Sequence, residues 1–117
     1  MFERFSHVML FVNDLERAVG WYTSKLGFTP NFVAPKQYAS LRHDKMGCRL
    51  DLHPTEMNSA DVGHGAMPNF IVKDLDAALA QLKSAGVKTG DPRREGGTRF
   101  AIIWDSEGNA LGLEESR

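Results

Sequence analysis

His7-Val8-Met9-Leu10-Phe11-Val12-Asn13-Asp14-Leu15 decides the fold, because a shift of sixty positions lays it over Met67-Pro68-Asn69-Phe70-Ile71-Val72-Lys73-Asp74-Leu75. Val12/Val72, Asp14/Asp74, Leu15/Leu75, Ala18/Ala78 and Ser24/Ser84 are identities in this register, and one residue of slippage aligns Leu26-Gly27-Phe28 with Ala85-Gly86-Val87. A repeat of this length marks two copies of one supersecondary unit, and a site is expected where the copies meet. The copies differ at their first position, where His7 stands over Met67.

Within the first copy, Val8, Leu10 and Val12 alternate with Phe5, His7, Met9 and Phe11, as in a half-buried strand. Asp14 is placed to accept the free N–H groups of a helix start. Leu15, Ala18, Val19, Tyr22 and Leu26 follow at helical spacing, and Gly27 suits a left-handed helix stop. Further strands are expected near 28–33, 38–42 and 49–53, with Asp44-Lys45-Met46-Gly47 as the turn between the last two. Residues 54–66 show no period and read as a linker. The second copy repeats the plan: a strand over 68–72, an Asp74 cap, a stripe of Leu75, Ala78, Leu79 and Leu82, a Gly86 stop, and strands near 87–89, 99–104 and 110–114. Pro92 to Gly97 reads as a flexible loop and Asp105 to Asn109 as a turn. Strand, helix and three strands, twice over, predict an α+β fold with the helices on one side of curved sheets.

The chain has 117 residues, so a single domain is expected, with module one at about 1–53, the linker at 54–66 and module two at about 67–117. Neither half can bury an adequate core alone, so the halves pack on each other or on those of a second copy. Fourteen basic and 15 acidic residues, well mixed, leave a net charge of −1 and no reason to expect nucleic acid or an anionic membrane as partner. Cys48 stands alone, which predicts a reducing, cytoplasmic setting. No apolar run reaches the roughly 20 residues of a membrane span, and no signal peptide is expected at the start.

The run from His7 through Asn13-Asp14-Leu15, then Trp21-Tyr22 and Leu26-Gly27-Phe28, resembles the vicinal oxygen chelate superfamily, which includes glyoxalase I, bleomycin-resistance proteins, fosfomycin-resistance enzymes and extradiol dioxygenases. Val72-Lys73-Asp74-Leu75-Asp76 and Asp105-Ser106-Glu107-Gly108-Asn109 carry the resemblance in the second copy, so it covers essentially the whole chain. It implies two tandem βαβββ modules forming a curved mixed sheet around a cup, with the helices on the outer face. It also implies four inward metal-ligand positions, which fall here on His7, Met67, Asp51 and Gly112. An imidazole and a carboxylate are kept, and the other two positions cannot bind a hard cation.

A catalytic divalent metal needs at least three protein ligands and an open position, and His7 and Asp51 supply two. Strand alternation places His53 and Glu114 on the same faces, one alternation or about 6–7 Å along, as substitute ligands. An unpaired carboxylate at Asp51 would be costly, so Asp51 faces solvent in the cup or pairs with Arg49 or His7. A His7–Asp51 pair is either a general base with its orienting group or a structural hydrogen bond. These two are the candidate catalytic residues. Met9, Phe11, Arg49, Met67, Asn69, Trp104 and Glu114 are the candidate ligand-binding residues, with Phe5, Phe32 and Tyr38 adding apolar and aromatic lining. Arg93, Arg94 and Arg99 either gate the cup and hold an anion or form a solvated loop. His43, His64 and Cys48 have no metal-like or activating context and read as surface or passive groups.

Two functions follow. One is a dimeric, glyoxalase/bleomycin-resistance-like protein that binds a small organic molecule in the cup, with an incomplete metal site and no cofactor. Its alternative is a divalent-metal-dependent lyase, isomerase or dioxygenase using His7 and Asp51 with nickel, zinc, manganese or iron.

Overall fold

A computed structural model describes residues 1–55, 62–63 and 65–116. The first copy runs β1 (Val8–Val12), α1 (Leu15–Leu26), β2 (Thr29–Ala34), β3 (Tyr38–His43) and β4 (Cys48–Pro54). The second runs β5 (Asn69–Val72), α2 (Leu75–Ser84), β6 (Lys88–Thr89), β7 (Arg93–Glu95), β8 (Thr98–Trp104) and β9 (Ala110–Glu115). The expected α+β plan is present in both copies. Most of the proposed linker, 56–61 and 64, lies outside the described residues, as does the expected surface position of His64.

Local chemistry starts and stops the helices where the sequence places the signals. The Asp14 carboxylate accepts from Arg17 N and the Asp74 carboxylate from Ala77 N, each satisfying one free donor of a first turn. Gly27 ends α1 at φ 76°, a conformation a β-carbon disfavours. α2 ends on Ala85, with Gly86 following at φ 85°.

The strands form two sheets rather than one continuous one, in the orders β1-β4-β3-β2 and β5-β9-β8-β6, with β7 added on β8. In each, the first and last strands of the copy pair in parallel and sit side by side: Met9 is level with Asp51, and Asn69 with Gly112. The expected loop at Pro92–Gly97 contains a strand, since Arg93 to Glu95 pair antiparallel with Thr98 to Phe100.

Alternation divides each sheet into a helix face and an opposite, inner face. Leu10, Val12, Ala39, Leu41, Leu50 and Leu52 bury against Leu15, Ala18 and Tyr22 of α1. Ala101, Ile103, Leu111 and Leu113 do the same with Leu75 and Leu79 of α2. The inner faces stay open: Met9, Phe11 and Phe32 on the first sheet and Ile71 on the second are exposed, as is Met67 beside it. Among the described residues, no helix is long and apolar enough to cross a membrane.

The modules are bolted together on one side. The Asp105–Asn109 turn reaches across to α1, where Tyr22 Oη donates to Asp105 Oδ2 at 2.7 Å. Glu107 Oε1 accepts from Asn13 N and Asp14 N at 2.9 and 2.8 Å, and its other oxygen pairs with Arg17 Nε at 2.7 Å. Asn109 Nδ2 donates to the Phe11 carbonyl at 3.2 Å. Burial first, then the nearby Asp105 carboxylate, drives the Tyr22 hydroxyl pKa far up, so this residue remains a donor at every working pH.

Candidate functional site

On the inner face of the first sheet, β4 carries Asp51 between β1 and β3, level with Met9 on one side and Ser40 on the other. Its side chain is fully buried, and Arg49 and Tyr38 donate to it. Arg49 grips it with two bonds, Nε to Oδ1 at 2.9 Å and Nη2 to Oδ2 at 2.7 Å, the fork geometry that suits a carboxylate. The Tyr38 hydroxyl donates to Oδ2 as well. His7 places Nε2 at 3.4 Å from Oδ2, and its Nδ1 lies 2.8 Å from the Ser6 hydroxyl. The buried Ser40 hydroxyl, on the strand position level with Asp51, has no hydrogen-bond partner among the described residues.

Burial alone would raise the Asp51 pKa. The hydrogen bonds from Arg49 and Tyr38, with smaller contributions from the neighbouring Ser40 hydroxyl and His7 imidazole, outweigh it and hold the carboxyl below its ordinary value. Asp51 is therefore an ion at neutral pH, and its lone pairs are already in use. The Tyr38 hydroxyl shifts upward, from burial first and then from the anion it serves.

Around this polar knot lies an aromatic patch. Phe11 and Tyr38 each meet the His53 ring edge-on at centroid distances of 5.9 Å, and Phe32 stacks on Tyr38 at 5.9 Å and 21°. His53 is half-buried, with Nδ1 2.6 Å from the Pro54 carbonyl. A cleft of about 420 Å³ opens here, lined by Lys36, Gln37, Tyr38, His53 and Pro54.

The remaining site residues predicted from sequence sit on the second sheet. Asn69, Glu95, Thr98, Phe100 and Glu114 line a separate cleft of about 450 Å³. Trp104 lies under the Lys88 ammonium at 5.0 Å, a cation–π arrangement. Within one chain the structure gathers His7, Arg49 and Asp51 into one cluster and Asn69 and Glu114 into another.

Four residues behave differently from their sequence context. Arg99 does not face the inner side: it pairs with Asp76 at 2.7 Å and Glu115 at 3.4 Å, on the α2 side. Tyr38, read only as lining, is a direct partner of Asp51. Asp105 and Glu107, read as a turn and as carriers of the resemblance, are the inter-module bolt described above. Spacings of 83 to 94 residues carry no local pattern, so no sequence signal marks that bolt.

The metal that the resemblance implies does not fit this donor set. Asp51 is held on both oxygens by Arg49 and Tyr38, and a cation would have to displace a guanidinium to reach it. At the equivalent position in the second copy, a β-carbon on Gly112 would stand 1.8 Å from Asn69 Oδ1, so the Asn69 amide fills the space a ligand side chain would need. Asn69 is itself tethered, its Nδ2 donating to the Met67 carbonyl at 2.9 Å. Among the described residues, no group of three His, Cys, Asp or Glu side chains converges for a metal.

Solved structures share this architecture. The bleomycin-binding protein from bleomycin-producing Streptomyces verticillus, complexed with copper(II)-bleomycin, superposes with a TM-score of 0.77 at 19% identity over 100% of both chains. TnmS3, an antibiotic binding protein from a Streptomyces species, gives 0.76 at 23% identity, covering 99% of this chain and 100% of that one. A mutant of the fosfomycin resistance protein FosX from Listeria monocytogenes, complexed with Mn(II) and a dihydroxypropylphosphonic acid, gives 0.79 at 15% identity, covering 100% of this chain and 93% of that one. At these identities the likeness is one of fold. No curated protein matches the chain. The family model matches residues 4–113, and with it the chain belongs to the Glyoxalase/Bleomycin resistance protein/Dioxygenase superfamily.

Proposed function

We propose that the protein is a homodimer that holds a small organic molecule between the inner faces of its sheets, without a metal and without turning the molecule over. The observation that carries this reading is the commitment of Asp51. A carboxylate at a ligand position of the family, gripped by Arg49 and Tyr38, is a fixed part of the wall rather than a base or a ligand. The role of His7 is then to line the wall beside it.

The exposed inner faces support the dimer. Met9, Phe11, Phe32 and Ile71 form more open apolar surface than a monomer keeps without a use. A second copy setting its Ile71/Glu114 face over the Phe11/His53 face would convert two shallow clefts into one enclosed cup. In that cup Phe11, Phe32 and Trp104 give flat apolar contact, while Arg49, Asn69 and Glu114 orient polar groups. The antibiotic-binding neighbours agree with this class of ligand.

The alternative, a divalent-metal lyase, isomerase or dioxygenase, draws on one observation, the 3.4 Å approach of His7 Nε2 to Asp51. The experiment that separates the two is elemental mass spectrometry on untagged protein reloaded with nickel, zinc, manganese or iron, beside melting curves with bleomycin and other aromatic antibiotics. The binding reading expects less than stoichiometric metal and a saturable rise in melting temperature that Phe11→Ala or Trp104→Ala abolishes. One metal per subunit, lost in His7→Ala, would overturn it.

A further inference from the structure

The duplicated modules are sealed on one side of their seam and hollow on the other. In the first copy Leu10, Val12, Ala18, Tyr22 and Leu52 are buried core, at 0–5% exposure, with the Asp105–Asn109 turn closed over Tyr22. Their counterparts in the second copy are Phe70, Val72, Ala78, Leu82 and Leu113, of which only Leu113 is buried. Leucine replaces tyrosine at the centre, and the β3–β4 turn brings His43 and Met46 instead of an Asp-Glu-Asn clasp. What remains is an open hollow of about 230 Å³ bounded by those five residues and Ile71, by Lys25 and Leu26 of α1, and by His43, Met46 and Gln81.

The walls are mostly hydrocarbon, and Lys25, His43 and Gln81 supply the polar groups. Among the described residues no carboxylate lines the hollow. Lys25 Nζ is anchored on the Ala85 carbonyl at 2.5 Å, which leaves further donors of the ammonium uncommitted. The His43 ring is steadied against Phe28 at 5.2 Å, with its Nδ1 taking the Met46 N–H at 3.3 Å. A mostly apolar hollow with a cation and no acid among its described walls complements an anion carried on an apolar body.

We propose that this hollow is a second small-molecule site, apart from the Asp51 cluster, for a compact organic monoacid whose apolar body replaces the missing ring and whose carboxylate meets Lys25. The volume suits a fragment rather than a drug-sized ligand. It shares Ile71 with the inner face and is otherwise lined by different residues.

Methionines report the two places separately. Met46 lines the hollow, whereas Met9 and Met67 belong to the inner faces. With methyl-labelled methionine, titrating 3-phenylpropionate is expected to shift the Met46 methyl saturably while Met9 and Met67 stay fixed. A Kd of about 1 mM or tighter is expected for a fragment of about eleven heavy atoms. The uncharged 3-phenylpropanol should bind about tenfold more weakly, and Lys25→Met should erase that difference. Leu82→Phe, which restores a ring at the centre, should abolish the Met46 shift. No saturable shift at Met46, a response at Met9 or Met67 instead, or equal binding of acid and alcohol would each overturn the proposal. Lys25→Met keeps the aliphatic stem of this half-buried side chain and serves as the test should Leu82→Phe fail to fold.

Discussion

Removing the Arg49 guanidinium tests the central claim about Asp51, and Arg49→Met does so while keeping the aliphatic stem. The substitution leaves a carboxylate with no solvent exposure facing one hydroxyl donor and one imidazole. Stripping a buried ion of its partner costs about 3–5 kcal/mol. Here Arg49 is 38% exposed, so water screens part of the pair, and Tyr38 stays in place, which lowers the expected loss to about 2–3 kcal/mol. At about 2.1 cal/mol/K per residue the unfolding entropy is about 0.25 kcal/mol/K, so the melting temperature should fall by about 8–12 °C. The loss should depend on pH. In the native protein the Asp51 pKa is depressed, so its contribution is fully present above the ordinary carboxylate value and fades as pH falls through the lower folded value. In Arg49→Met burial meets less opposition and the folded pKa rises, so protonation relieves the variant as pH falls. The stability gap between the two proteins should therefore narrow from about pH 7 to about pH 4. Urea unfolding at both pH values measures it. A gap under about 0.5 kcal/mol at neutral pH, or one indifferent to pH, would refute the assignment of Arg49 as the group that keeps Asp51 ionised. Arg49→Lys, which keeps the charge and loses the fork, should recover only part of the loss.

Tyr22→Phe should destabilise the protein by about 1.5–3 kcal/mol in urea unfolding, because it removes a buried donor from a charged acceptor that keeps other donors. Gly112→Ala should cost about 1 kcal/mol, the bond lost when Asn69 swings aside, and the cost should vanish in an Asn69→Ala background, read as a double-mutant cycle.

The parts of the fold that sequence made legible are those written in local chemistry. The two Asp caps, the Gly27 stop and the alternation in β1 and β4 follow from backbone valence and side-chain periods of 3.6 and 2, and each is where the residues place it. The pairing of Asp51 was legible as a need, since an inward acid between Leu50 and Leu52 must find a partner. Arg49 lies two residues away on the same strand face and was within reach of that reasoning. Tyr38 was not, because its approach to Asp51 depends on the antiparallel register of β3 against β4, which local patterning does not fix. The filling of Gly112's space by Asn69 was equally hidden, since it depends on the parallel register of β5 and β9. β7 was missed because Arg93-Arg94-Glu95 is entirely polar, and an exposed edge strand shows no burial period.

Glu107 closes the start of a helix that was synthesised some ninety residues earlier. Until the last hairpin leaves the ribosome, the amides of Asn13 and Asp14 lack their carboxylate acceptor, Arg17 lacks its partner and the Tyr22 hydroxyl lacks Asp105. A nascent first module is thus a complete sheet and helix with an unfinished joint, held waiting by the order of translation. The same joint ties the two halves of an ancient duplication into one cooperative unit. Gene fission between them would strand a buried phenol on one fragment and a buried acid on the other, and neither half could evolve alone without first replacing it.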